Sequence, residues 1–195
     1  MTLSDMRRPP AAVAAIRADT EALGFAFASE PHVGALLAVL AASKPGGRLL
    51  ELGTGTGHGT AWIQAGMDAR ARLDTVDTDA GVVAVAQQHL GADPRITFHL
   101  VDAATFITAA RPGRFDLIYA DAWPGKFSHL NDALGLLRVG GVYLIDDLLP
   151  QASWPAEHAP KVQALIDTLE HRPDMNTVDL EWASGVMMVV RTSPA

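Results

Sequence analysis

The stretch Leu49-Leu50-Glu51-Leu52-Gly53-Thr54-Gly55-Thr56-Gly57 decides the fold. Apolar residues around an acid read as a strand, the glycines as a turn, and the segment containing Trp62 and Ile63 as the helix that follows. Glycines in such a turn let the backbone approach a ligand where a side chain would clash. The spacing is close to the G-x-G-x-x-G of dinucleotide sites. The sixth position, however, is His58 rather than glycine or alanine, so that reading fails at one place.

Outward from this turn, short apolar runs at 48–52, 72–76, 96–101, 116–120 and 142–145 alternate with helix-length segments. Strands apolar on both faces and spaced by helices predict a parallel sheet covered on both sides, with right-handed crossovers. The last two runs, 178–182 and 186–191, are joined only by Ala183, Ser184 and Gly185, too few residues for a crossover helix. They must form a hairpin, so one strand runs antiparallel. Upstream, Val13, Ile16, Thr20 and Leu23 share a helical face that stops at Gly24. Ser29 before Pro31 reads as the cap of a second helix with the stripe Val33, Leu36, Leu37 and Leu40. No repeat or linker divides residues 1–195, so a single domain is expected, with N-terminal helices over 1–45 and an α/β core over 46–195.

Of the 195 residues, 49% are hydrophobic and 19% charged, which favours a packed globular domain. The net charge of −7 and the lack of a basic run argue against a nucleic-acid partner. Without cysteine there are no disulfides, thiolate nucleophiles or iron–sulfur clusters, and a metal would need oxygen or imidazole ligands. The apolar stretch 11–16 is too short for a signal core and no run approaches a membrane span, so a cytoplasmic protein with no membrane partner is expected.

The acid-x-Gly-x-Gly-x-Gly pattern from Glu51 to Gly57 resembles motif I of class I S-adenosylmethionine (SAM) methyltransferases. The resemblance implies that Glu51 receives the methionine amino group, with Gly53, Thr54, Gly55 and Gly57 lining the cofactor. The chemistry agrees, because an amino-acid moiety carries an ammonium that needs a carboxylate and lacks the pyrophosphate a helix N-terminus would hold. Asp77 ends the second run, where a carboxylate can accept both ribose hydroxyls. The resemblance gives it that role, with Thr78 beside it, while Asp79 reads as a helix cap. Asp102, followed by Ala103, stands where the family meets the adenine amino group, and equally where a helix cap would stand.

Asp121, Asp146 and Asp147 fall at the carboxyl ends of two strands, where ligand sites of open α/β sheets form. Here the resemblance narrows to the catechol and caffeoyl-coenzyme A O-methyltransferase group, in which an Asp and a later Asp-Asn pair bind a divalent cation. It implies Mg²⁺ on Asp121, Asp146 and Asp147, although Asp147 stands where the family has asparagine. Trp123 matches a tryptophan of that group, as an aromatic wall over the methyl acceptor or as loop packing. The family's basic lysine directly follows that tryptophan, whereas here Pro124 and Gly125 intervene before Lys126. Lys126 and Asp121 are the catalytic candidates, and His129 is a candidate for the substrate pocket or simply the start of a helix.

The resemblance also implies a Rossmann-like doubly wound sheet of seven strands in the order 3-2-1-4-5-7-6, with strand 7 antiparallel. The expected reaction is in-line attack of a small-molecule oxygen, phenolic or catechol-like, on the sulfonium methyl, with a homodimer as the candidate assembly. The rivals are an NAD-dependent oxidoreductase, which NADH titration separates, and a non-catalytic SAM-binding module, which binds without turnover.

Overall fold

The computed structural model describes residues 9–25, 30–151, 154 and 157–194; the cap reading of Ser29 lies outside them. The first helix is α1 (Ala11–Leu23), ending at Gly24 with φ 72°, and α2 (Pro31–Ala42) follows. Ile16 and Thr20 of α1 are buried, but Leu23 at the end of the expected stripe is half exposed.

The core then alternates as β1 (Arg48–Leu52), α3 (His58–Gly66), β2 (Arg72–Asp77), α4 (Ala80–Leu90), β3 (Ile96–Leu100), α5 (Ala103–Ala109), β4 (Phe115–Ala120), α6 (Leu130–Gly135) and β5 (Leu137–Ile145). It ends with α7 (His158–Glu170), β6 (Met175–Leu180) and β7 (Val186–Arg191). These strands form a seven-stranded sheet in the order β3-β2-β1-β4-β5-β7-β6. Pairings from β3 through β5 are parallel, and β7 runs antiparallel to both β5 and β6.

Strand parity sets the two core layers. On β1, Leu50 and Leu52 face the layer of Ile118, Tyr143 and Ile145 that is covered by α5, α6 and α7. Leu49 faces the opposite layer with Leu117, Leu144 and the α3 residues Trp62 and Ile63, covered by α1, α2 and α3. A strand buried on both faces cannot slip register without exposing one apolar set, which pins β1 at the sheet centre.

Two strands, β5 and β6, differ from the sequence pattern by more than one residue. β5 begins at Leu137 rather than residue 142, since Arg138 and the Gly140-Gly141 pair hide the start; the register against β4 shifts between Phe115 and Leu117. β6 runs from Met175 to Leu180 rather than over 178–182, pairing along the whole of β7 and stopping where Trp182 N–H turns back to Leu180 O and Ala183 adopts φ 56°. The hairpin stands, with a longer connection. Among the described residues no helix is long and apolar enough to cross a membrane.

The turn after β1 is where fold and site meet. Gly53 has φ 101°, and a Cβ there would lie 2.6 Å from the carbonyl oxygen of Asp121 at the end of β4. Side chains are strained at that φ and find no space. Gly53→Ala should therefore lower stability by about 1–3 kcal/mol in chemical denaturation. Wild-type stability in that variant would mean that the β1 turn does not pack against Asp121.

Candidate active site

A cleft of about 280 Å³ opens at the carboxyl ends of β1, β2, β4 and β5. Gly53, Thr54 and Gly55 line it together with Asp77, Asp121, Asp146 and Asp147, so most of the acids singled out in the sequence do converge.

Glu51 lies beneath this cleft, fully buried. Its Oε2 accepts the hydroxyls of Thr60 at 2.5 Å and Thr75 at 2.7 Å. With the Thr75 proton so engaged, the 2.7 Å contact between Thr54 and Thr75 makes Thr54 the donor. The other carboxylate oxygen, Oε1, is buried with no hydrogen-bond partner among the described residues. A Cβ on Gly59, a residue that lines the cleft, would sit 2.4 Å from it, so only glycine fits against that oxygen. Burial pushes the Glu51 carboxyl up to about 7 despite the two threonine bonds that favour its ionised form. An unpartnered buried carboxylate oxygen is costly, and a cation placed there would relieve it.

Asp77 stands at the other end of the turn. Its Oδ2 accepts Gly55 N–H at 2.8 Å and its Oδ1 accepts Asp79 N–H at 3.0 Å, which locks the glycine turn to β2. Asp79 caps α4 through Gly81 N–H at 2.8 Å, and Thr78 is exposed at the rim. From the opposite side, Thr20 of α1 meets Thr56 Oγ1 at 2.8 Å, so the N-terminal helix covers the turn.

Of the residues expected on the cofactor, Glu51, Gly57, Thr78, Asp102 and Ala103 do not line the cleft, and the last two are engaged elsewhere. Asp102 caps α5 by accepting Thr105 N–H at 3.1 Å, and the buried Ala103 side chain packs into the core. Neither lines the cleft, since the third strand stops at Leu100 and the chain turns directly into α5.

The floor beneath β4 and β5 is a connected polar cluster. Asp146 is 2% exposed; its Oδ2 accepts the Tyr119 hydroxyl at 2.6 Å, and its Oδ1 accepts the Ser184 hydroxyl and Asp147 N–H. Lys126, 6% exposed, donates to the Asp146 carbonyl at 3.2 Å, and its Nζ lies 3.9 Å from Asp121 Oδ1. Desolvation raises the Asp121 carboxyl well above the usual range; Lys126 opposes this, and Asp146, Asp147 and Glu51 add to it. Burial likewise raises Asp146, against its bonds from Ser184 and Tyr119. Asp147 has φ 61°, and its Oδ1 accepts the Gln151 side-chain amide at 2.8 Å.

The metal set implied by the resemblance therefore does not fit. Among the described residues no three His, Asp or Glu side chains are arranged to hold a metal ion. Asp146 has committed its oxygens to Tyr119, Ser184 and the Asp147 backbone, and one oxygen of Asp147 is taken by Gln151.

Trp123 and His129 line a second groove that Lys126 also borders. Trp123 is 44% exposed, stacks edge-on against Phe127 at 4.7 Å and His158 at 5.7 Å, and carries Lys161 Nζ 4.4 Å over its ring. His129 is exposed and starts α6 with φ 54°, the plainer of its two readings. Tyr119, Ser184, Thr60 and His158 escaped the sequence reading. Tyr119 alone had a signal, lying two residues before Asp121 on the same strand face. His158 packs against Trp154, Trp123 and Phe127; burial and then Lys126 lower its pKa, and its Nε2 finds no partner among the described residues.

Comparison with known proteins decides the family. A family model described as a methyltransferase domain matches residues 50–148, half of the chain, running from β1 through the acid cluster. The chain belongs to this methyltransferase family. The methyltransferase is 33% identical over 141 residues to the "Putative O-methyltransferase" of Mycolicibacterium vanbaalenii, covering 69% of this chain and 62% of that one. It is 33% identical over 121 residues to its namesake in Mycobacterium ulcerans, covering 59% and 54%. It thus spans little more than half the length of the curated relatives it matches. Among solved structures, the O-methyltransferase TomG of Streptomyces achromogenes, involved in tomaymycin synthesis and bound to SAM, superposes with a TM-score of 0.82. That match has 22% identity and covers 96% of this chain and 92% of that one. The O-methyltransferase of Bacillus cereus bound to S-adenosylhomocysteine (SAH) gives a TM-score of 0.83 at 20% identity, covering 97% and 95%. At such identities these structures establish that the methyltransferase shares their fold.

Proposed function

We propose that this methyltransferase is a SAM-dependent O-methyltransferase acting on a small aromatic alcohol, phenolic or catechol-like. The observation that carries the reading is the buried, unpartnered oxygen of Glu51 against Gly59, a residue that lines the cleft in which Asp77 also stands. Glu51 would receive the cofactor's ammonium and Asp77 its ribose hydroxyls, with Gly53 and Gly55 leaving the turn open to the ligand, Thr54 lining it, and Gly57 carrying the chain close past α4 into α3.

When bound, SAM supplies a methyl group on a cationic sulfur, the bond to sulfur breaking as the bond to the acceptor oxygen forms and SAH remaining. Asp121, made more basic by its desolvation, takes the hydroxyl proton. The Lys126 ammonium beside it steadies the negative charge that develops on the oxygen. The resemblance to the O-methyltransferase group and the names of the relatives above support oxygen as the acceptor. The reading extends to a cytoplasmic protein that binds neither nucleic acid nor membrane, and to a homodimer to be tested by sedimentation.

A panel of phenols and catechols incubated with methyl-labelled SAM tests the reaction. Methyl ethers should form on at least one acceptor, and label appearing only on nitrogen or carbon acceptors would refute the O-methyl assignment. Trp123 gives a second test, since its exposed ring borders the groove next to Lys126. Trp123→Ala should raise the acceptor KM several-fold with SAM affinity unchanged; equal losses in both would indicate a collapsed loop.

A further inference from the structure

We infer that the Lys126 ammonium takes the place of a divalent cation in the Asp121–Asp146 cluster, so that this chain works without a metal. The inference rests on the site assignment above and on where this loop carries its lysine. Pro124 and Gly125 lengthen the segment after Trp123, and the segment folds back on itself, with Phe127 N–H donating to Trp123 O and Gly125 N–H to Ser128 O. The Tyr143 hydroxyl, itself buried, donates to Gly125 O at 2.9 Å and ties the loop to β5. Lys126 is thereby turned inward, where its Nζ reaches the Asp146 carbonyl at 3.2 Å and lies 3.9 Å from Asp121 Oδ1.

Three acids drawn to one floor need a positive charge among them, and here the chain supplies it. The Asp146 carboxylate is correspondingly engaged at both oxygens, and that of Asp147 at one. Asp146 Oδ1 accepts from Ser184 and from Asp147 N–H, its Oδ2 accepts from Tyr119, and Asp147 is turned to Gln151. A divalent ion could enter only by displacing the ammonium and breaking several of these bonds. The ammonium keeps the electrostatic part of a metal's task, a fixed positive charge beside the acceptor oxygen, and gives up the coordination.

Electron paramagnetic resonance of Mn²⁺ titrated into the full chain tests this, with SAH calorimetry run beside it. The wild type should leave the Mn²⁺ signal free up to about millimolar concentration. Lys126→Met should bind the ion at least about tenfold more tightly, and Asp121→Asn added to it should abolish that binding. If circular dichroism shows that Lys126→Met does not fold, Lys126→Gln gives the same comparison. Micromolar Mn²⁺ binding by the wild type that is lost in Asp121→Asn would overturn the inference. A folded Lys126 variant with no gain in Mn²⁺ binding would overturn it equally. Loss of SAH binding by the wild type would instead strike the cofactor assignment, which keeps the two failures apart.

Discussion

Asp77→Ala should weaken SAM binding about 30-fold, roughly 2 kcal/mol. The size follows from the two jobs this carboxylate does. It accepts Gly55 N–H and Asp79 N–H, and thus holds the glycine turn against β2. It also lines the cleft, where a charged acceptor is worth more to a hydroxyl than a neutral one. Alanine removes the ribose partner and frees the turn together. Asp77→Asn keeps the shape and one acceptor, so calorimetry should place its affinity between wild type and alanine. An alanine variant that binds SAM as the wild type does, with an unchanged melting temperature, would remove Asp77 from the cofactor site.

SAM affinity should also rise about tenfold between pH 6 and pH 8, and Glu51→Gln should abolish that rise while weakening binding at pH 8. The free protein holds the Glu51 carboxyl at about 7 because it is buried. An incoming ammonium selects the ionised form. Below pH 7 part of the binding energy goes into removing the proton, at about 1.4 kcal/mol for each pH unit. The sign for stability is opposite. Glu51 is raised in the folded state from the ordinary 4.5, so the unfolded chain releases this proton first as pH climbs. Its contribution is complete below about pH 4.5 and is lost through pH 7, a drop on the order of 3 kcal/mol. Glu51→Gln should therefore flatten that part of the stability profile of the ligand-free protein. Calorimetry in buffers of different ionisation enthalpy should detect proton release on SAM binding near pH 6.5. A pH-independent affinity in the wild type would mean that Glu51 does not meet the ammonium.

The sheet was legible because its central strands are apolar on both faces, as Leu49 and Leu50 illustrate by packing into opposite layers. The hairpin followed from the short span before Val186, and Asp77 and Glu51 from their places at strand ends. The floor of the site was less legible, because its order is set by tertiary contacts. Ser184 arrives from the β6–β7 connection, and Gln151 engages one oxygen of Asp147. Three aspartates read as one metal set for lack of these partners. Lys126 was visible as a charge near Asp121, but its burial depends on the Tyr143 bond to Gly125, which no local pattern announces. The threonine hydroxyls around Glu51 likewise come from β2 and α3, and only the folded chain shows that they leave one oxygen free.

The most direct test of the account is a calorimetric titration of the full wild-type chain with SAH at pH 8, with NAD⁺ titrated in parallel. The account predicts one SAH bound per chain with micromolar affinity and no heat from NAD⁺. Absence of SAH binding, or tighter binding of NAD⁺, would contradict it.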